Sequence, residues 1–249
     1  MLSHYLKQLK LPTFIKSHEE VALECQKNGK GYVDFLLRLS EMEVLGRHSR
    51  AVQQKIKKAK FPGLKTLDSF NFKLLPDLDQ RQVTTLAGGD YIDKFENIIA
   101  LGNSGTGKTH LSISLGMAAC QKGASVLFTT AASLVHDLLE AQEEKQFLKI
   151  QKNLNTYSLL IVDELGFVPF TKAGAELLFE VFSNRYERRS VIISSNLPFQ
   201  EWTQVFGCER LTGALLDSLT HHVHILQMNG ESYRLNQSKR GESSNGQKS

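Results

Sequence analysis

The chain has 249 residues, of which 41% are hydrophobic and 22% charged, with a net charge of +4 at pH 7. That is room for one mid-sized domain and a small appendage, with the composition of an ordinary globular protein. No apolar run approaches the roughly 20 residues that span a bilayer. The opening MLSHYLKQLKLPTF has no apolar stretch followed by a small-residue cleavage site, so neither a membrane span nor a secretory leader is expected.

Residues 3–60 read as helical. Apolar residues in VALECQKN and in YVDFLLRLSEMEVLGRHSRAVQQKIKKAKF recur at three- and four-residue steps. Phe35, Leu36, Leu39 and Met42 form one expected stripe, with Ile56 further along the same segment. Gly29 to Gly31 interrupt the pattern, and Pro62 and Gly63 end it. Residues 1–65 hold 13 Lys and Arg against 6 Asp and Glu, whereas the rest of the chain has a small acidic excess. A segregated basic block suits a polyanionic partner such as nucleic acid, or simply a solvated helical face. Charge alone does not choose between them. LDSFNF (67–72) reads as a strap onto the next domain.

From about residue 67 to residue 235, short β-rich runs alternate with longer amphipathic ones. IIALG (98–102), VLFTT (126–130), LLIVDE (159–164), VIISSN (191–196) and VHILQM (223–228) are the expected strands. Helical stretches between them predict an α/β domain with a parallel sheet covered on both faces. Three domains follow: a basic helical segment (1–66), an α/β core (67–235) and a polar tail (236–249) that should be disordered. Cys25, Cys120 and Cys208 are far apart and odd in number, which suits reduced thiols in a cytoplasmic protein.

Gly102-Asn103-Ser104-Gly105-Thr106-Gly107-Lys108-Thr109 satisfies G-x-x-x-x-G-K-[ST], between an apolar strand and an amphipathic helix. The glycines let successive backbone N–H groups face phosphate oxygens, and the following helix adds its N-terminal dipole. Lys108 is expected on the β- and γ-phosphates of ATP and Thr109 on Mg²⁺. About 55 residues on, four apolar residues lead to Asp163, a second expected Mg²⁺ ligand, and then to Glu164. A carboxylate beside the metal ligand can orient and polarise a water for attack on the γ-phosphate, which favours hydrolysis over transfer to a small substrate. Asn196, at the end of the next strand, is expected to sense the γ-phosphate, its competing role being a helix cap before LPFQEW.

Arg185, Arg188, Arg189 and Arg210 are candidates for an arginine that acts on a neighbouring subunit's γ-phosphate, though cations at a helix C-terminus are favourable anyway. His221, His222 and His224 suggest a metal, but no Cys or acidic residue stands at ligand spacing. They read as solvated and packed side chains around a strand start. Trp202, Phe167 and Phe170 read as core or interface.

These residues resemble the IstB-like ATP-binding proteins of insertion sequences, helper ATPases of transposition in the AAA+ class and relatives of the helicase loader DnaC. The likeness runs through AKFPGLKTLDSFNF, GNSGTGKTHLSISLG, LLIVDELGFVPFTKAGAELLFEVFSNRYERRSVIISSNLPFQEW and LLDSLTHHVHILQMNGESYRL. It implies a P-loop NTPase sheet flanked by helices, with a small N-terminal helical domain. It also implies ATP and Mg²⁺ as cofactors, with Gly102 to Thr109 as phosphate loop, Asp163 and Glu164 as metal and water acids, and Asn196 as sensor. The implied protein is an oligomer that binds duplex DNA without sequence preference and recruits or stimulates a DDE-type transposase. The setting is cytoplasmic, at the nucleoid, with no membrane role.

One departure stands out. Near the last helix such proteins commonly carry an Asp-Arg pair, with the Arg acting across the subunit boundary, where this chain has Asp217-Ser218. Weak hydrolysis with ATP binding retained is therefore expected. Arg234 in GESYRL is a further candidate nucleotide contact. Two other readings stay open: a helicase loader of the same fold, and a nucleotide-gated DNA-binding scaffold.

Overall fold

The computed structural model describes residues 1–230 together with Ser232 and Tyr233, so Arg234 and the expected disordered tail lie outside the described residues. The chain divides into two compact units, Met1–Gln54 and Lys55–Ser249. The first holds helices α1 (Leu2–Gln8) and α2 (Pro12–Lys27) and most of α3 (Tyr32–Lys58). Pro12 opens α2, where its missing N–H costs nothing. Gly29, in the left-handed region at φ 61°, ends it.

Val21, Cys25 and Leu39 form this unit's small core, with Phe14, Phe35 and Met42 packed against it. Phe35, Leu39 and Met42 lie at i, i+4 and i+7 and share one face. Leu36 does not join them: it is 55% exposed, because one residue on from Phe35 turns the side chain about 100° away around the helix. Glu43 is buried beside Thr13 and two arginines. Its Oε2 accepts from Thr13 N at 2.8 Å, and its Oε1 accepts from Arg50 Nη2 at 2.9 Å and more weakly from Arg47. Burial alone would raise its pKa, but these donors outweigh it and hold the carboxyl below its ordinary value.

In the second unit, Ala59 is fully buried and its carbonyl accepts from Phe128 N at 2.8 Å. Residues 55–66, expected with the N-terminal segment, thus fall within this compact unit. Elements then follow in the order α4 (Gln80–Ala87), α5 (Asp90–Asp93), β1 (Asn97–Leu101), α6 (Lys108–Gln121), β2 (Val126–Thr130), α7 (Ala131–Glu143), α8 (Phe147–Asn155) and β3 (Leu159–Leu165). The last are α9 (Lys172–Arg185), β4 (Ser190–Ser195), α10 (Trp202–Phe206), α11 (Glu209–Thr220) and β5 (Val223–Gln227).

The five strands form one parallel sheet in the order β2-β3-β4-β1-β5. A parallel sheet in this order, flanked by helices and with the phosphate-loop sequence directly after β1, is a P-loop NTPase architecture. Continuous apolar runs build it because both faces are covered. Leu159 and Ile161 join the core on one side with Leu111 and Leu115 of α6. Leu160 and Val162 join the other with Leu138 of α7 and Leu178 of α9. Each such fully buried side chain contributes about 1.5–3 kcal/mol of apolar burial. Among the described residues, no helix is long and apolar enough to cross a membrane.

Arg185 corrects an expectation. It is fully buried, and its guanidinium donates to the carbonyls of Leu154 at 2.8 Å, Tyr157 at 3.0 Å and Ser190 at 2.9 Å. Burial, with Arg189 nearby, lowers its pKa to about 9, so it stays charged at neutral pH. A group held this way ties α8, β3 and β4 together and is not available to another subunit. Trp202 is likewise core, its Nε1 donating to Leu197 O at 3.2 Å. Phe170 stacks edge-on against Phe206, while Phe167 is 73% exposed.

Candidate active site

The phosphate loop, the acid pair and Asn196 all lie at the C-terminal edge of the sheet, on the adjacent strands β1, β4 and β3. Gly102 N donates to Ser195 O at 3.3 Å, which brings the first residue of the loop beside Asn196. Asn196 is exposed, one residue beyond β4. The following 3₁₀ turn (Phe199–Glu201) is capped by Pro198, so the helix-cap alternative for Asn196 does not hold.

The loop's shape depends on glycine at two places. Gly105 and Gly107 sit at φ 81° and 96°, in the left-handed region that L side chains rarely adopt. Gly107 caps α6, whose first N–H groups have no carbonyl partner within the helix. Lys108 Nζ lies across the loop, donating to Gly102 O at 2.7 Å and Asn103 O at 2.8 Å. Thr109, half-buried, is the next residue in the first turn.

Backbone N–H groups, an ammonium, a hydroxyl and nearby carboxylates make a donor set that fits a polyphosphate with a divalent cation. Lys108 and the Gly102–Thr109 backbone would hold the phosphates, and Thr109 and Asp163 the cation. Two further segments border the loop. Phe70 packs against Gly107 and edge-on to His110 at 5.3 Å. Met228 N donates to Leu101 O at 2.7 Å, and Tyr233 N to Gly105 O at 3.0 Å.

The acid pair owes its geometry to an irregularity in β3. Val162 pairs with Ile193 and Leu165 with Ser195, so Asp163 and Glu164 together face the single residue Ser194. This is a β-bulge, which breaks the strict alternation of side chains and re-aims them. Asp163 is buried and Glu164 exposed, with Glu164 in the left-handed region at φ 59°. For a non-glycine residue that conformation costs about 1–3 kcal/mol, and such strain clusters at functional sites.

Ser194 answers both acids. Its hydroxyl donates to Asp163 Oδ1 and accepts from Glu164 N at 3.1 Å. The sequence reading gave Ser194 no role. Its only sequence signal was a polar residue closing an apolar run two residues before Asn196.

The remaining candidates lie elsewhere. Arg188 and Arg189 are exposed just before β4, at the opposite edge of the sheet from the phosphate loop, and Arg189 Nε donates to Asn155 O at 3.3 Å. Arg210 is exposed in the first turn of α11. Ser218 is half-buried, its hydroxyl donating back to Ala214 O at 2.9 Å. His224 pairs with Glu96 at 2.8 Å. The other two histidines correct the sequence reading, because the fold supplies an acidic neighbour from far along the chain: Glu187 stands beside His221 and His222.

The family model for IstB-like ATP binding proteins matches residues 4–241. The Pseudomonas aeruginosa protein of insertion sequence IS21 named as ATP-binding is 36% identical over 235 residues, covering 94% of this chain and 89% of its own. Among solved structures, AMPPCP-bound DnaA from Aquifex aeolicus superposes with a TM-score of 0.58 at 19% identity, over 74% of this chain and 56% of the DnaA chain. The DnaC helicase loader superposes at 0.52 with 17% identity, over 73% of this chain and 98% of that one. At those identities the two structures speak for the fold alone.

Proposed function

Because the chain belongs to the IstB-like ATP-binding protein family of insertion sequences, we propose that it is an ATP-dependent helper of transposition. In this reading it assembles on duplex DNA with ATP and Mg²⁺ bound, and recruits or stimulates the transposase encoded alongside it. The observation that carries the nucleotide chemistry is the β3 bulge, which sets Asp163 and Glu164 side by side at the edge where the phosphate loop lies. Lys108 and the loop backbone hold the phosphates, Thr109 and Asp163 the cation, and Glu164 takes a proton from the attacking water. Asn196 contacts the γ-phosphate or that water. The basic N-terminal segment supplies the phosphate-facing charge for DNA, and the cytoplasm is the compartment.

Ser218 favours a second reading, in which ATP is chiefly an assembly ligand and turnover is slow. Both readings are tested by sedimenting the protein with duplex DNA and ATP, ADP or no nucleotide, alongside phosphate release. Assembly on DNA is expected with ATP and is expected to weaken as salt rises. Ser218→Arg is expected to raise turnover by at least about tenfold, a floor well below the roughly 10³–10⁵-fold attributed to an arginine that stabilises transition-state charge. Assembly indifferent to nucleotide would sink the helper reading. Equal turnover in the two proteins would remove Ser218 as the cause of slow hydrolysis.

Ser194 is the positioning residue of this site. Ser194→Ala leaves Asp163 Oδ1 and Glu164 N without that partner, and kcat is expected to fall on the order of tenfold, the equivalent of one lost hydrogen bond of about 1.4 kcal/mol. Nucleotide affinity should stay within roughly twofold, and Ser194→Thr should restore the rate. A matching loss of affinity would make the hydroxyl a binding group instead.

A further inference from the structure

At the edge of the sheet opposite the phosphate loop, two turns bring together three side chains that share no sequence neighbourhood. Glu187 lies between α9 and β4, and His221 and His222 lie between α11 and β5. Among the described residues these are the one group of three potential metal ligands whose ligand atoms all fall within 4.8 Å of one another. His221 Nδ1 is 4.0 Å from Glu187 Oε1, and the two imidazole rings meet edge-on with centroids 4.3 Å apart.

The cluster is held from behind. Buried Asn97, at the start of β1, lies between the two strands that carry the turns. Its backbone N–H donates to His222 O at 2.8 Å, its Nδ2 to Leu219 O at 3.1 Å, and its Oδ1 accepts from Val191 N at 3.0 Å. One side chain therefore fixes the end of α11 against the start of β4. Tyr186 packs edge-on to His221, with ring centroids 5.9 Å apart, and so limits the swing of that imidazole. The two following cations do not fill the cluster's role: Arg189 is engaged with Asn155 O and Arg188 O, and Arg188 is exposed.

We propose that Glu187, His221 and His222 form a binding site for a divalent first-row transition metal of the Zn²⁺ class. Two imidazoles and one carboxylate are the ligand types such ions take, with a fourth position left to water. Mg²⁺ and Ca²⁺ prefer all-oxygen sets, which separates this site from the nucleotide's cation at the other edge. The bound ion fastens the end of α11, the helix that carries Asp217 and Ser218, to the turn that follows α9. The inference is independent of the transposition reading.

The test uses the full chain without nucleotide, titrated with Co²⁺ as a visible probe and then with Zn²⁺. One equivalent of Co²⁺ is expected to give a d–d absorption band that Zn²⁺ displaces. Zn²⁺ at one hundred times its Kd is expected to raise Tm by about 5–10 °C. His222→Ala and Glu187→Gln sit on different turns, and each is expected to weaken the band's apparent affinity at least roughly tenfold. A metal-free Tm within about 2 °C of wild type in either variant shows that it is folded and makes its result decisive. No band and no Tm shift in the wild type would overturn the proposal. A band of unchanged affinity in the variants would overturn it equally, by putting the metal elsewhere, such as at exposed Cys208.

Discussion

Glu164→Gln is expected to abolish turnover while leaving ATP bound. The amide keeps the size of the carboxylate but cannot take a proton from water, so hydrolysis should fall by roughly 10²–10⁴-fold, the usual contribution of a general base. The change is unusually clean here. Glu164 is exposed, and its tie to Ser194 runs through the backbone N–H, so the bulge and the placement of Asp163 do not depend on its side chain. Stability should therefore move by no more than about 0.5 kcal/mol. In the helper reading the variant also stays on DNA once ATP has assembled it, because the step that releases it is blocked. Single-turnover phosphate release and sedimentation on duplex DNA check the two halves. Turnover at wild-type rate would remove Glu164 from the chemistry.

Lys108→Ala should act one step earlier, on binding. The ammonium lies across the loop, bonded to Gly102 O and Asn103 O, where in the proposed reading it would meet a polyphosphate. Truncating one partner of a close hydrogen-bonded charge pair costs about 2–5 kcal/mol, or roughly 30-fold to several thousandfold in affinity. Equilibrium titration with a fluorescent ATP analogue measures this directly, and ATP-dependent assembly should disappear with it. Comparing the two variants separates binding from hydrolysis. The Lys108 variant should fail to assemble, and the Glu164 variant should fail to disassemble. A Lys108→Ala protein that still assembles only with ATP would show that the loop is not the controlling site.

Much of the sheet was legible because its strands are buried on both faces and so write themselves as apolar runs. LLIVDE is the clearest case, with Leu159, Leu160, Ile161 and Val162 all fully buried. The loop could be picked out because phosphate binding needs particular residues at short, fixed spacing, and the acid pair because it closes an apolar run; the sheet order puts both at one edge. What stayed hidden depended on partners distant in sequence. Arg185 looked like its neighbours Arg188 and Arg189, and only the carbonyls of Leu154, Tyr157 and Ser190 converging on it make it a buried clamp. Ser194 gained meaning from a register shift in another strand. Leu36 fell outside its stripe because helical spacing admits a residue adjacent to the apolar face as readily as one on it. His221 and His222 gained their acidic neighbour only in the fold, which brought Glu187 from the turn before β4.

The bulge in β3 also decides which kinds of sequence divergence the acid pair can survive. An exchange of side chain at 163 or 164 leaves two residues facing one, because that pairing is made by peptide groups. Deleting one residue there would restore regular pairing and keep Leu165 on the face it shares with Val162, but would leave one residue where the site now has two acids. The backbone of the bulge thus tolerates an exchange of side chain and not a change of length, whereas the chemistry tolerates neither.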